Sequence, residues 1–240
     1  MMNILSVSKW LVGCMLMMVM SMMACQDDGD PFNPDIQEKA GHIPGFGEEP
    51  GEPTGEKLVL PKHITITSIV GDETGIAGDE CVVDGAGPFV MVSVTIENDS
   101  VGPGPTTVTF PPGLVIVTAL EGFQNGLLIE RVLVTVPPTV EGGGGNSGKC
   151  KVKLMLYCLN SARKHSDSTA KYKIGPVTDS PLIKDFLRRL SGKKLLYSEY
   201  EGDDDFWINS ENIQTALWSL TDDDGLKARD LEYIRNLPDR

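Results

Sequence analysis

Positive charge is scarce in this chain. Its 21 Lys and Arg stand against 34 Asp and Glu, a formal net charge of −13, and it has only three His. Residues 1–24 hold one of those Lys and no acid, so the rest of the chain stands at 20 against 34, or −14. So strong an acidic excess argues against a nucleic-acid partner, because a surface that binds a polyanion needs clustered cations. Also missing are a glycine-rich phosphate loop that opens a helix, a closely spaced cysteine pair of the zinc type and an internal repeat. These absences leave no cofactor and no metal to expect. The runs Asp203–Asp205 and Asp222–Asp224 do not rescue calcium, since Leu220 and Leu231 stand where an EF-hand loop needs its first and last ligands; both runs read as solvated loop acids.

One long apolar run is present. Met1–Ala24 carries a single charge, Lys9, and ends on small Ala24, the pattern of an export signal rather than of a membrane span in the mature chain. Its last residues, Ser21-Met22-Met23-Ala24-Cys25, resemble the lipobox of bacterial lipoproteins. That resemblance implies cleavage before Cys25 and acylation of its thiol and amine, with each buried methylene contributing about 0.8 kcal/mol to membrane anchoring. Gln26-Asp27-Asp28-Gly29-Asp30 reads either as a solvated acidic tether or as a short signal resembling those that carry some lipoproteins to the outside of the outer membrane. The localisation implied is a lipid anchor in the outer membrane, facing outward. From Cys25 to Glu56 the chain is mostly Pro, Gly and acid, which predicts a disordered tether with a coil reach of roughly 30 Å.

The remaining residues, 57–240, are enough for one substantial core. Up to Asn160 the pattern is β: His63–Val70, Phe89–Glu97, Thr106–Phe110, Leu114–Thr118, Leu127–Val136 and Cys150–Leu159 each alternate or run apolar over strand lengths. Pro111-Pro112-Gly113 must interrupt any strand, as a turn or a sheet crossing. The glycine run Gly142–Gly145 is read as a flexible loop, because no helix follows it. In the last of these strands Lys149, Lys151 and Lys153 alternate with Cys150, Val152 and Leu154, predicting one wet face. Cys150, Val152, Leu154, Leu156 and Cys158 then share the core face. After a polar loop at Ser161–Thr169, Ser180-Pro181 opens a helix ending near Gly192. Further helices are expected from about Ser210 to Leu220 and from about Leu226 to Leu237, before Pro238. The fold class is α+β: an antiparallel β-sandwich or barrel lobe, 57–160, followed by a small helical lobe, 161–240.

Gln214 falls in the second of these helices, with Leu217 and Trp218 one turn on, so its carboxamide leans on an apolar face and needs a partner. A start near Ser210 would also put it by the helix N-terminus, where the dipole favours a thiolate or an oxyanion. Cys158 suits that place. Cys14 leaves with the signal and Cys25 carries lipid, so Cys81, Cys150 and Cys158 remain, an odd number in an oxidising compartment. Cys150 and Cys158 lie roughly 26 Å apart on one extended strand and cannot bond each other. The disulfide this leaves is Cys81 with Cys150, and Cys158 stays unpaired.

Tyr157-Cys158-Leu159-Asn160 and Ile213-Gln214-Thr215-Ala216-Leu217-Trp218 resemble the paired signatures of the internal thioester domains of bacterial surface adhesins, with Thr221 and Asp222 matching the Thr-Asp that follows the Gln helix. The resemblance implies that Cys158 and Gln214 condense with loss of ammonia, and that the thioester captures an amine on a host or surface ligand. Tyr157, Phe206, Trp207 and Trp218 are then candidates to shield the bond from water. Ile213 stands where that family often has Thr, the Cys-to-Gln spacing is short, and the host is a lipoprotein rather than a wall-anchored fibril. No enzyme is expected. A Cys158–His165–Asp167 triad is disfavoured because His165 lies in a solvated loop only seven residues away. The other reading is a surface lipoprotein that binds glycan or protein noncovalently.

Overall fold

The computed structural model describes residues 36–73, 81–101, 104–140, 148–200 and 203–240. The signal segment, Cys25, the acidic stretch after it and the Gly142–Gly145 run lie outside the described residues. The strands are β1 Gly55–Lys57, β2 Ile64–Gly71, β3 Val82–Gly85, β4 Val90–Asn98, β5 Thr106–Phe110, β6 Leu114–Thr118, β7 Gly126–Leu127, β8 Val132–Val136, β9 Lys149–Cys158 and β10 Tyr172–Thr178, so the run expected as one strand from Leu127 to Val136 is split between β7 and β8, which lie in different sheets. Eight of them form one sheet in the order β1-β10-β6-β7-β9-β4-β2, with β3 running parallel to β9, while β5 and β8 form a separate two-stranded sheet. A bridge between Val70 and Lys171 joins β2 to the start of β10, so the large sheet curls until its sides meet. Pro111-Pro112-Gly113 marks the crossing from the small sheet to the large one. With its helices the fold is α+β, and its β part is sandwich-like.

Two large cores share the sheet, with a small third cluster of Met155, Tyr200 and Phe206. The inner one gathers the alternating residues Val90, Val92, Val94 and Ile96 of β4 with Val108, Phe110, Val132, Val134 and Val136 of the small sheet, and with Cys150, Val152, Leu154, Leu156 and Cys158 of β9. The outer one seals the other face against helices: Val115, Val117, Leu127, Tyr157 and Leu159 pack with residues of α1 Pro181–Leu190, α3 Asp205–Thr221 and α4 Ala228–Asn236. Ser180 caps α1 by accepting from the Ile183 N–H at 3.2 Å. A short α2, Tyr197–Tyr200, sits between α1 and α3.

Four expectations are corrected here. The stretch from Ile36 to Glu56 is no tether: Ala40, Ile43 and Phe46 are buried in the outer core, and β1 starts at Gly55. Three apolar anchors suffice where average composition suggests disorder, since burying Phe46 alone contributes roughly 2–3 kcal/mol. The region 161–240 is not a separate helical lobe, because β10 belongs to the main sheet and the helices share the outer core with it. Lys153 is not on a wet face; it is fully buried and pairs with Asp72 at 3.3 Å, where the chain leaving β2 and the parallel β3 close over β9. The second helix begins at Asp205, not Ser210. Asp204 and Asp205 suit a helix N-terminus, where the dipole favours acid.

Candidate functional site

The end of β9 and the middle of α3 meet through one side chain. The Cys158 N–H donates to Gln214 Oε1 at 2.7 Å, and Gln214 Nε2 donates back to the Cys158 carbonyl oxygen at 2.8 Å. Both residues are 1 % exposed. β9 fixes Cys158 because the strand is paired along its length, with Gly126 of β7 opposite Cys158. The packed stripe Ile213, Leu217 and Leu220 fixes Gln214. With the earlier helix start, Gln214 is the tenth residue of 17, more than two turns from the N-terminus. The proposed role of the helix dipole therefore fails, since that field fades within the first turn. What bonds the Gln214 carbonyl oxygen instead is the Cys158 N–H.

Cys158 is a free, buried thiol. Its sulfur lies between the Asn160 N–H, which donates to it at 3.3 Å, and the Asn160 carbonyl oxygen, which accepts from it at 3.4 Å. Burial pushes the thiol pKa up to about 11; the Asn160 hydrogen bond and the Trp218 side chain pull it down, Asp222 raises it and Arg163 lowers it. The Trp218 indole N–H is buried and has no hydrogen bond of standard geometry, so it acts on the sulfur as a nearby dipole. Cys81 and Cys150 form a disulfide, with Cα atoms 5.7 Å apart.

Of the four aromatic residues expected to shield the pair, only Trp218 stands against the sulfur. Tyr157 points to the opposite face of β9, where it packs on Phe89, 5.8 Å between ring centroids. Phe206 packs with Met155, Tyr197 and Tyr200 instead. It is eight residues from Gln214, about 12 Å along the helix. Trp207 is 40 % exposed beside it. As for the triad, His165 is exposed and the Asp167 carboxylate is taken by Lys164 and Thr169, which hold it well below the usual range. Among the described residues no cluster of three or more possible metal ligands occurs, and no helix is long and apolar enough to cross a membrane.

A buried amide network that no sequence pattern announces surrounds the pair. The Asn160 side chain accepts from the Asn125 N–H at 2.8 Å and donates to the Gly47 carbonyl at 2.7 Å; Asn125 Nδ2 donates to the Gly45 carbonyl at 3.2 Å. Asp222 accepts from the Ser161 N–H and hydroxyl, at 3.2 and 2.6 Å, tying the chain after β9 to the end of α3. Asn160 stands two residues past β9 and belongs to no periodic pattern, so its burial, and with it the need to satisfy its amide, shows only in the fold. Compared with known proteins, the chain matches no family model, no curated protein and no solved structure. The functional reading therefore rests on residues and geometry.

Proposed function

We propose that this chain is a surface-exposed lipoprotein adhesin whose Cys158 and Gln214 form an internal thioester that captures an amine. The single observation that carries the reading is the two-sided hydrogen bonding of the Gln214 carboxamide to Cys158, beside a buried thiol with no cysteine partner among the described residues. The Cys158 thiolate attacks Gln214 Cδ, and the developing oxyanion on Oε1 is held by the Cys158 N–H. The C–Nε2 bond breaks, and nitrogen takes up the thiol proton and leaves as ammonia. A lysine amine of the target later attacks the same carbon. The C–S bond breaks, Cys158 leaves as thiolate and the amine's surplus proton returns to it. An amide then ties Gln214 to the target. Near-complete burial of both residues supports the storage step, since water would hydrolyse an open thioester.

A second reading has an observation of its own. Both polar atoms of Gln214 are satisfied by Cys158's main chain, which a purely structural clamp also explains, and the chain would then bind glycan or protein noncovalently. Intact mass decides between them. The adhesin reading expects the purified domain to be lighter than its sequence by one ammonia, and methylamine to be taken up with release of one thiol. An undiminished mass, with Gln still found at 214 by peptide mapping, leaves the noncovalent reading. The lipid anchor has its own test: Cys25→Ala should release the protein from membranes.

A further inference from the structure

Cys158 and Gln214 are each 1 % exposed, so no target lysine reaches Gln214 Cδ unless something moves. The two residues sit in a seam between β9 and α3. On one side the seam is closed by the β3–β4 connection, where the Ser210 hydroxyl donates to the Ala86 carbonyl at 3.2 Å. On the other side lies an irregular segment, Gly41–Gly47, which belongs to neither element and crosses from one to the other. The Gly47 N–H donates to the Leu159 carbonyl at 2.7 Å, and the Gly41 N–H donates to the Leu220 carbonyl at 2.9 Å. Gly47 has φ of 54°, and a Cβ there would collide with the Thr221 carbonyl oxygen, so the segment is pressed into the seam. Phe46, fully buried in the outer core, anchors it.

We propose that Gly41–Gly47 is a strap that gates the Cys158–Gln214 site, with Asn160 as the positioning residue that couples the strap to the sulfur. This rests on the thioester reading and deepens it. The main chain of Asn160 holds the thiol, while its side-chain amide holds the Gly47 carbonyl. Lifting the strap strips Asn160 Nδ2 and the Leu159 carbonyl of their partners and uncovers the seam one residue from Cys158. A small amine needs only local breathing to enter. A lysine carried on a polypeptide needs the strap out of the seam, so docking of the target and exposure of the bond become one event.

The test uses two variants of the full mature chain. Phe46→Ala removes the apolar anchor; Asn160→Asp removes the donor to Gly47 while keeping the oxygen that accepts from Asn125. Uptake of methylamine and of a lysine-containing peptide is followed by mass, with cooperative thermal unfolding checked for each variant. Both variants should speed peptide capture by on the order of tenfold, and methylamine capture by clearly less. Peptide and methylamine rates that move together, or not at all, overturn the gate. If the wild type lacks the mass deficit and Gln is still found at 214, the thioester reading has failed by itself, and the strap is then read from alkylation of the free Cys158 thiol by iodoacetamide. Phe46→Ala should accelerate that alkylation by a similar factor, and an unchanged rate overturns the strap.

Discussion

Cys150 and Cys158 lie on one strand, face one core and are each 1 % exposed, yet one is held in a disulfide and the other is free. Burial and strand geometry are common to both, so neither explains the difference. What differs is the element each end of β9 meets. At its start the incoming β3 segment brings Cys81, whose N–H donates to the Lys151 carbonyl at 2.8 Å and sets the disulfide partner alongside Cys150. At its end no strand continues, and the polar edge of Cys158 is met by a carboxamide from a helix. The same residue type thus becomes a staple at one end and a buried free thiol at the other.

The sharpest way to break the comparison is to remove each partner in turn. Cys158→Ala and Gln214→Glu should abolish amine capture completely, since the first has no sulfur and the second no ammonia to lose. Changing both Cys81 and Cys150 to Ala should leave capture in the folded protein intact, and loss of the mass deficit in that variant would show that the two ends are not independent. Stability orders them the other way. Losing the disulfide, which spans a sequence separation of 69, should cost about 4 kcal/mol in urea unfolding. Gln214→Ala should cost about 2 kcal/mol, because the Cys158 N–H and carbonyl are left unsatisfied in the core. A cost near zero would mean that the carboxamide does not hold β9 to α3.

Much of this contrast was legible in the residues. Period-two patterning along β9 is a local property, and it put Cys150 and Cys158 on one buried face. Apolar spacing in the Gln helix likewise put Gln214 on the packed side. What could not be read locally depends on which elements close over which. Lys153 belongs to an alternating run that looks half-wet, and its face is dry because Asp72 and β3, both distant in sequence, close over it. β10 was hidden by Gly175-Pro176, which sit at the register shift between Ile174 and Val177, where a bulge tolerates them. The order of Ile36–Glu56 was hidden by its composition, because the three buried residues Ala40, Ile43 and Phe46 in a Gly- and Pro-rich stretch hardly move an average. Asn125 and Asn160 gave no periodic signal at all.

The raised pKa of Cys158 sets the next effect in size. With the thiol pushed up to about 11, the thiolate fraction at pH 7 is about one in ten thousand and grows tenfold per unit until the pKa is passed. Thioester formation in protein freshly made by cell-free synthesis, chased at different pH and read by mass, should therefore be about a hundredfold faster at pH 9 than at pH 7. A flat profile would mean that ionisation of Cys158 does not limit the step. Formation of the Cys81–Cys150 disulfide is set in the unfolded or folding chain, where those thiols are not yet buried, so its profile should level off at lower pH.

The smallest effect concerns Asp222, which lies beyond Gln214 at the end of α3 and bonds Ser161 just past β9. Its charge disfavours a thiolate at Cys158, though it ranks below burial, the Asn160 hydrogen bond and the Trp218 side chain. Asp222→Asn keeps an oxygen to accept from Ser161 while removing the charge, so the seam should stay closed and the thiol pKa should fall by less than one unit. Formation at pH 7 should then quicken, by under about tenfold. The gain should shrink as pH approaches 11, where both proteins are largely thiolate, and that convergence separates an electrostatic effect from a loosened seam. Arg163→Gln should do the reverse, since Arg163 favours the thiolate. Were Asp222→Asn faster by the same factor at every pH, the charge would not be acting through Cys158, and its bond to Ser161 would be the part that matters.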